Sequence, residues 1–74
     1  MGQWEYRVAF VDFRGRISVE GQETLIAEEQ RRTTFVRDFL DQLGGDGWEL
    51  VGIHPIGGQS AYYIFKRGAS PALA

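Results

Sequence analysis

The segment from Phe35 to Ile53, FVRDFLDQLGGDGWELVGI, constrains the fold more than any other part of the chain. Its first half places apolar residues on one face of a helix with about 3.6 residues per turn. These residues are Phe35, Val36, Phe39, Leu40 and Leu43. The strand that begins at Trp48 is the nearest partner for this face, because only a short turn separates the two. The segment therefore predicts a helix packed on a sheet.

The two ends of this helix carry separate signals. Thr33 or Thr34 supplies a hydroxyl that can accept a hydrogen bond from an unpaired amide of the first turn, so the helix is predicted to begin there. It is predicted to end at Leu43, with Gly44 in the left-handed conformation that follows many helices. The pair Asp46-Gly47 then turns the chain into the next strand.

The N-terminal segment has the alternation of a β-hairpin. Residues 4–13 alternate, and one face consists of Trp4, Tyr6, Val8 and Phe10. The other face begins with Glu5 and Arg7 and becomes apolar at Ala9, so the far end of the strand is apolar on both sides. Gly15 permits a tight reversal, and a second strand is predicted over 17–20.

The rest of the chain supplies two more strands. Residues 21–32 are predicted to form a loop or an irregular helical turn, because their charges would interrupt the apolar stripe of a longer helix. Trp48 to His54 is predicted to be a strand that Pro55 stops, and Ala61 to Phe65 a last strand rich in aromatic residues. Residues 68–74 are predicted to form a disordered tail, which leaves one domain at 1–67.

These elements predict an α+β fold, a small antiparallel sheet of roughly three to four strands with one α-helix packed on one face. Trp4 and Trp48 are expected in its core. A helix of about eleven residues is only ~16 Å long and shields one face of the sheet. The other face inherits apolar residues drawn from Val11, Phe13, Val51, Ile53, Tyr62 and Ile64. Monomers rarely expose large apolar patches, so this face is predicted to be an interface in a homodimer or higher homo-oligomer.

Composition excludes several functional classes. The 74 residues include no cysteine, which removes disulfides and thiolate metal sites. A net charge of -2 opposes nucleic-acid binding, which depends on cationic groups that neutralise phosphates. No segment approaches the ~20 apolar residues of a membrane span, and the N-terminus lacks the pattern of a signal peptide. The sequence therefore predicts a soluble, cytoplasmic protein that binds neither nucleic acid nor membrane.

No catalytic constellation is evident. His54 is the single histidine, and the serines have no neighbouring base, so no catalytic, metal or cofactor residue is assigned. The hypothesis is a non-catalytic interaction module that self-associates through its sheet, and an unknown protein partner is left open. The alternative is a ligand-binding or minor enzymatic domain that holds an anionic small molecule at Arg31, Arg32 and Arg37, near the start of the helix.

Three segments carry a resemblance to a known family. They are WEYRV at 4–8, LDQLGGDGWELVGI at 40–53 and YIFKR at 63–67. In this order they resemble the short bacterial proteins grouped as the domain of unknown function 4177 family. The resemblance covers most of the chain from Trp4 to Arg67. It implies a compact α+β domain and carries over no reaction, cofactor or catalytic residue. The segment 15–32 is longer than the family's minimal pattern and is where this chain departs from it.

Overall fold

A five-stranded antiparallel sheet with one helix packed on it forms the described part of the protein. The computed structural model describes residues 3–69. Along the chain the elements are β1 (Trp4–Asp12), β2 (Arg16–Val19), β3 (Gln22–Leu25), α1 (Arg32–Gly45), β4 (Glu49–Gly57) and β5 (Ser60–Gly68). The strands lie side by side in the order β3-β2-β1-β5-β4. The predicted α+β class with one helix is confirmed, whereas the predicted number of strands is too low.

The alternation of side chains along β1 decides which face meets the helix. Ala9 and Val11 are completely buried, whereas the neighbouring Val8 is 49% exposed. β1 pairs with β5 along its whole length, and Ala9 lies opposite Tyr63. Directly opposite residues of antiparallel strands point to the same side. Each face of the sheet can therefore be followed from strand to strand by its register.

The core lies between α1 and the helix-side face of the sheet. It consists of Ala9, Val11, Ile17, Phe35, Leu43, Trp48, Ala61, Tyr63 and Phe65. Of the predicted helical stripe, Phe35 and Leu43 are buried, and the other members pack partly buried against the core. Phe39 meets Phe65 of β5 edge to face, with ring centroids 6.0 Å apart. The prediction of an amphipathic helix is confirmed by this packing.

The helix begins earlier than predicted and without a hydroxyl cap. Its first residue is Arg32, and the preceding Arg31 is the N-cap, with an extended backbone and no side-chain hydrogen bond to the helix. The amide of Phe35 donates to the Arg31 carbonyl oxygen at 2.9 Å. Thr33 and Thr34 therefore lie inside the first turn, and the prediction that one of them caps the helix is wrong.

The C-terminal end of the helix also differs from the prediction. α1 runs through Gly44 to Gly45, and it is Gly47 that adopts a positive φ, of 90°. The Gly47 amide donates to the Gly44 carbonyl at 2.9 Å, and the Trp48 amide donates to the Leu43 carbonyl at 3.0 Å. These bonds satisfy carbonyls of the last turn that have no partner within the helix. The left-handed glycine thus comes three residues later than expected, after Asp46 has closed the last turn.

Residues 21–32 contain a strand that the sequence does not predict. β3 pairs with β2, beginning with Val19 opposite Gln22. The two residues between them, Glu20 and Gly21, have φ values of 52° and 87°. Positive φ at both central residues is the mark of a tight hairpin turn that matches the twist of its strands. All four residues of β3 are exposed, so the sequence has no alternation of apolar and polar residues that would predict a strand there.

Pro55 does not end the fourth strand. β4 continues through Pro55 to Gly57, with an irregularity in its register between these two residues. A proline cannot donate to a neighbouring strand, but β4 lies at the edge of the sheet and pairs only with β5. The predicted stop at Pro55 is therefore wrong for an edge strand, because one side of its backbone has no neighbouring strand to bond.

The last strand is longer than predicted. β5 runs from Ser60 to Gly68, and Gly68 pairs with Trp4 at the far end of β1. The Ala69 amide then donates to the Gln3 carbonyl at 2.9 Å. The first residues of the predicted tail thus belong to the sheet. Residues 70–74 lie outside the described part of the chain.

Asp12 organises the turn between β1 and β2. Its carboxylate accepts hydrogen bonds from the Arg14 amide at 3.0 Å and from the Arg14 guanidinium at 3.1 Å. Its carbonyl accepts the Gly15 amide at 2.8 Å. The Arg14 side-chain hydrogen bonds, followed by the Arg14 backbone amide, lower the pKa of the Asp12 carboxyl from its ordinary value of 3.8. The charged form of Asp12 is thus favoured by the folded turn.

Replacement of Asp12 by asparagine tests this link between charge and stability. A carboxyl with a lowered pKa in the folded state stabilises the fold above its ordinary pKa and loses that contribution as the pH falls. We expect Asp12→Asn to be less stable than the parent at pH 7, with the difference shrinking below pH 3.8. Urea unfolding at several pH values measures it. The same change at exposed Asp41 is the control, and a pH-independent difference for Asp12→Asn would contradict the prediction.

Gly15 is the glycine that tolerates replacement least. Its φ is +124°, and a Cβ atom there would lie 2.5 Å from Cγ2 of Ile26. Gly21 also has a positive φ, of +87°, but has open space around it. We expect Gly15→Ala to lower the free energy of unfolding by about 3 kcal/mol and Gly21→Ala by about 1 kcal/mol. Equal losses in urea unfolding would show that contact with Ile26 is not the cause.

Candidate interaction surface on the open face of the sheet

The face of the sheet turned away from α1 carries large apolar side chains with no element over them in the described chain. We call this surface the open face, and its central residues are Trp4, Tyr6, Val8 and Phe10 of β1 and Tyr62 and Ile64 of β5. Tyr6 is 62% exposed and Trp4 is 55% exposed. An apolar side chain exposed alone is ordinary, whereas four exposed ones beside the half-buried Phe10 and Ile64 on two paired strands form a patch.

The side chains of the open face are held in place by contacts across the strands. Val8 lies opposite Ile64, and Phe10 lies opposite Tyr62. The rings of Phe10 and Tyr62 meet edge to face with centroids 5.8 Å apart. Such pairs contribute roughly 0.5–1.5 kcal/mol beyond the area they bury. These contacts already restrict the side chains of the open face, so little conformational entropy is lost when a partner covers it.

Polar residues surround this apolar centre. On one side, Ser18 of β2 pairs with Phe10. On the other side, Lys66 places its amino group 4.1 Å from the centre of the Trp4 ring. Glu49 of β4 lies opposite Lys66, and His54 lies opposite Tyr62. An apolar centre with a polar rim is the usual organisation of a protein–protein interface.

The size of the open face suits a small contact. β1, β4 and β5 each have nine residues. With strands about 4.8 Å apart and ~3.4 Å per residue, these three strands cover roughly 440 Å². A standard protein–protein interface buries about 800 Å² on each partner, and weak or transient contacts bury less. The open face therefore has the size of a small, weak interface.

Two of the six predicted interface residues lie on the open face and one lies in the core. Tyr62 and Ile64 alternate away from the helix along β5, and Tyr62 is 40% exposed. Val11 is completely buried beneath α1, so its assignment to an accessible interface is corrected. Side chains alternate between the two faces of a strand, so Val11 lies on the same helix-side face as Ala9, two residues before it.

The other three predicted interface residues are exposed elsewhere. Phe13 follows β1 and has its ring centroid 6.4 Å from that of Tyr63, on the helix side. Ile53 lies opposite Tyr63 and so also points to the helix side, where it is 50% exposed. Val51 occupies the irregularity between Leu50 and Gly52 in β4. The prediction therefore named residues from both faces of the sheet.

Sequence reasoning placed Trp4 in the core, and it lies on the open face instead. Trp48 is buried, as expected. The helix covers the face with Ala9 and Ala61, which are small and let α1 approach closely, and its own phenylalanines supply the bulk. The alternation along β1 by itself favours the aromatic face as the core. The small Ala9 and Ala61 on neighbouring strands were the signal that the helix packs on the other face.

The three arginines of the predicted anion site are not all together. Arg32 and Arg37 line a cleft of about 230 Å³ between α1 and Phe13, and Arg31 is not among the lining residues. A guanidinium nitrogen of Arg37 lies 3.8 Å from the Asp38 carboxylate. The structure therefore brings two of the three arginines to one cleft.

The described residues offer little reactive chemistry. No group of three or more metal-ligating side chains comes together among residues 3–69. Burial raises the pKa of the Tyr63 hydroxyl, which keeps this phenol protonated in the core. Within the same residues, no helix is long and apolar enough to cross a membrane.

Trp48 joins the three segments that carry the family resemblance. The guanidinium carbons of Arg7 and Arg67 lie 4.7 Å and 4.3 Å from the centre of its ring. Arg67 also donates to the Glu5 carboxylate at 2.8 Å and to the Asp46 carbonyl at 2.7 Å. We call these five residues the Trp48 cluster. It fastens the end of α1 to both central strands of the sheet.

Comparisons with known proteins identify no relative. Searches with the chain found no match among protein-family models, curated proteins or solved structures. The resemblance to the domain of unknown function 4177 family therefore stays a prediction. The Trp48 cluster gives a physical reason for the three segments to occur together in this chain.

The Trp48 cluster is testable through Arg67. Replacement of Arg67 by methionine keeps much of the stem but removes the hydrogen bonds to Glu5 and Asp46 and the stacked charge. We expect Arg67→Met to lower the free energy of unfolding by about 2 kcal/mol. The control, Arg16→Met, removes an exposed ion pair with Glu23 at 3.9 Å and should cost at most about 0.5 kcal/mol. Similar losses in urea unfolding would contradict a special role for Arg67.

Proposed function

We propose that the protein is a non-catalytic interaction module that associates with a second copy of itself through the open face of its sheet. The observation that carries the proposal is the exposure of Trp4, Tyr6 and Val8 beside one another on β1, between 49% and 62%. At about 25 cal/mol per Å², removing such a surface from water would stabilise a small domain that buries little surface of its own.

The charges of the open face favour a second copy as the partner. The chain has a net charge of -2, so two copies repel each other only weakly. Rim charges of both signs occur close together, as in Glu49 opposite Lys66 and in the Arg16–Glu23 ion pair. A two-fold interface juxtaposes the same patch on both subunits, so it must be self-complementary. An apolar centre with a mixed, nearly neutral rim meets that requirement.

Packing geometry is consistent with a two-fold sandwich. Two sheets pack face to face about 10 Å apart when each presents an apolar surface. The open faces of two copies would bury roughly 900 Å² in total, which is the size of a small, weak interface. In such a dimer both helices lie on the outside, and each domain gains a second core that its own helix cannot provide.

A pair of matched variants tests this proposal. Val8 on the open face is 49% exposed, and Ile53 on the helix side is 50% exposed. We expect Val8→Glu to weaken self-association at least tenfold, because it buries an unpaired carboxylate, and Ile53→Glu to leave it within about twofold. Sedimentation equilibrium between about 1 and 100 μM measures both dissociation constants, in the range expected of a small, weak interface.

Two further measurements make the outcome decisive. Far-ultraviolet circular dichroism must show that both variants keep the secondary structure of the parent, so that a loss of association is not a loss of fold. A parent chain that stays monomeric across the whole concentration range would contradict the proposal. Dissociation by Ile53→Glu but not by Val8→Glu would place the interface on the opposite side.

A further inference from the structure

We infer that the cleft between α1 and Phe13 binds a small amphipathic anion, a carboxylate carried on a short alkyl chain or an aromatic ring. The cleft lies on the helix side of the sheet, away from the open face, and has a volume of about 230 Å³. It is lined by Phe13, Arg32, Thr33, Val36, Arg37 and Leu40. The inference does not depend on the proposed self-association.

The walls of the cleft require an apolar ligand body. The accessible lining is almost wholly apolar, because the two arginines contribute mainly their hydrocarbon stems. Phe13 remains 36% exposed, and Val36 and Leu40 are only partly buried. A ligand that covers these side chains removes apolar surface from water, which a bare inorganic anion cannot do.

The charges at the cleft require an anionic head. Arg32 and Arg37 both border the cavity, and no acidic side chain lies in the first turn of α1. The nearest competitor is Asp38, whose carboxylate lies 3.8 Å from Arg37 and also accepts a hydrogen bond from Gln30 at 3.2 Å. A contact of 3.8 Å between exposed groups is weak, so a ligand carboxylate can displace it. A guanidinium group can hold a carboxylate through two parallel hydrogen bonds.

The size of the cleft limits the ligand. Sites for drug-sized molecules usually span about 300–1,000 Å³. A cavity of about 230 Å³ accepts a single ring or a short chain and is too small for a nucleotide. An alkyl or aryl carboxylate suits the apolar walls and the two arginines that border them.

Titration by NMR with three probes tests the inference on the full chain. Octanoate carries both parts of the ligand, octanol lacks the charge and inorganic phosphate lacks the apolar body. We expect octanoate to shift the amide resonances of Phe13, Thr33, Val36 and Leu40, with a dissociation constant of about a millimolar. Octanol should bind there at least about threefold more weakly, and phosphate should leave these resonances in place.

Charge-matched variants identify the groups that hold the anion. Arg32→Gln and Arg37→Gln should each weaken octanoate binding about threefold and leave octanol binding unchanged. Arg31→Gln removes the same charge from the neighbouring N-cap residue, outside the lining, and should change octanoate binding by less than about 1.5-fold.

Several results would overturn the inference. Equal losses in all three arginine variants would mean general attraction of anions, and equal affinity for octanol would mean a purely apolar groove. Octanoate shifts confined to Trp4, Tyr6 and Val8 would place binding on the open face. Cleft resonances that shift with protein concentration and lose their response to octanoate would show that a second copy occupies the cleft.

Discussion

A single helix of 14 residues is the only cover for a five-stranded sheet in the described chain, and most features of the molecule follow from that limit. At 1.5 Å per residue, α1 is about 21 Å long, enough to cover the middle of one face. Ala9 and Ala61 bring it close to the sheet, and Phe35 and Phe39 fill the space beside them. The opposite face has no cover from the described part of the chain.

The short helix needs a firm attachment, and the Trp48 cluster provides it. α1 leads directly into β4, which is an edge strand and contributes little cover of its own. Arg67 of β5 accordingly binds the carbonyl of Asp46 at the end of the helix and stacks on Trp48 at the start of β4. Arg7 has a buried Nε with no hydrogen-bond acceptor among the described residues, and its stacking on the same ring offsets part of that cost. The cluster thus fixes the helix over the central strands.

The sequence predicts the secondary structure correctly where one face of an element is buried, because burial spaces the apolar residues at a regular interval. The stripe from Phe35 to Leu43 predicts the helix, and the alternation from Trp4 onward predicts the first hairpin. It failed where no face is buried, since β3 is exposed at every residue. The predicted end of a strand at Pro55 was also wrong, because the position of β4 at the edge of the sheet depends on the tertiary structure. For the site, the sequence predicted that an apolar face remains uncovered, but the choice of face depends on where the helix lies, which strand alternation does not determine.

Edge strands decide how an uncovered sheet can associate. Long edges invite pairing with another chain, and β4 would be the obvious place. Pro55 removes a donor from this edge, and the two irregularities in its register bend the strand, so a continuous ladder with a second sheet is disfavoured. β3 is only four residues long, which makes it a poor template. Because both edges are unfavourable for pairing with another sheet, they support our proposal that association uses the open face. Contact through that face would leave the cleft at Arg32 and Arg37 accessible on the other side.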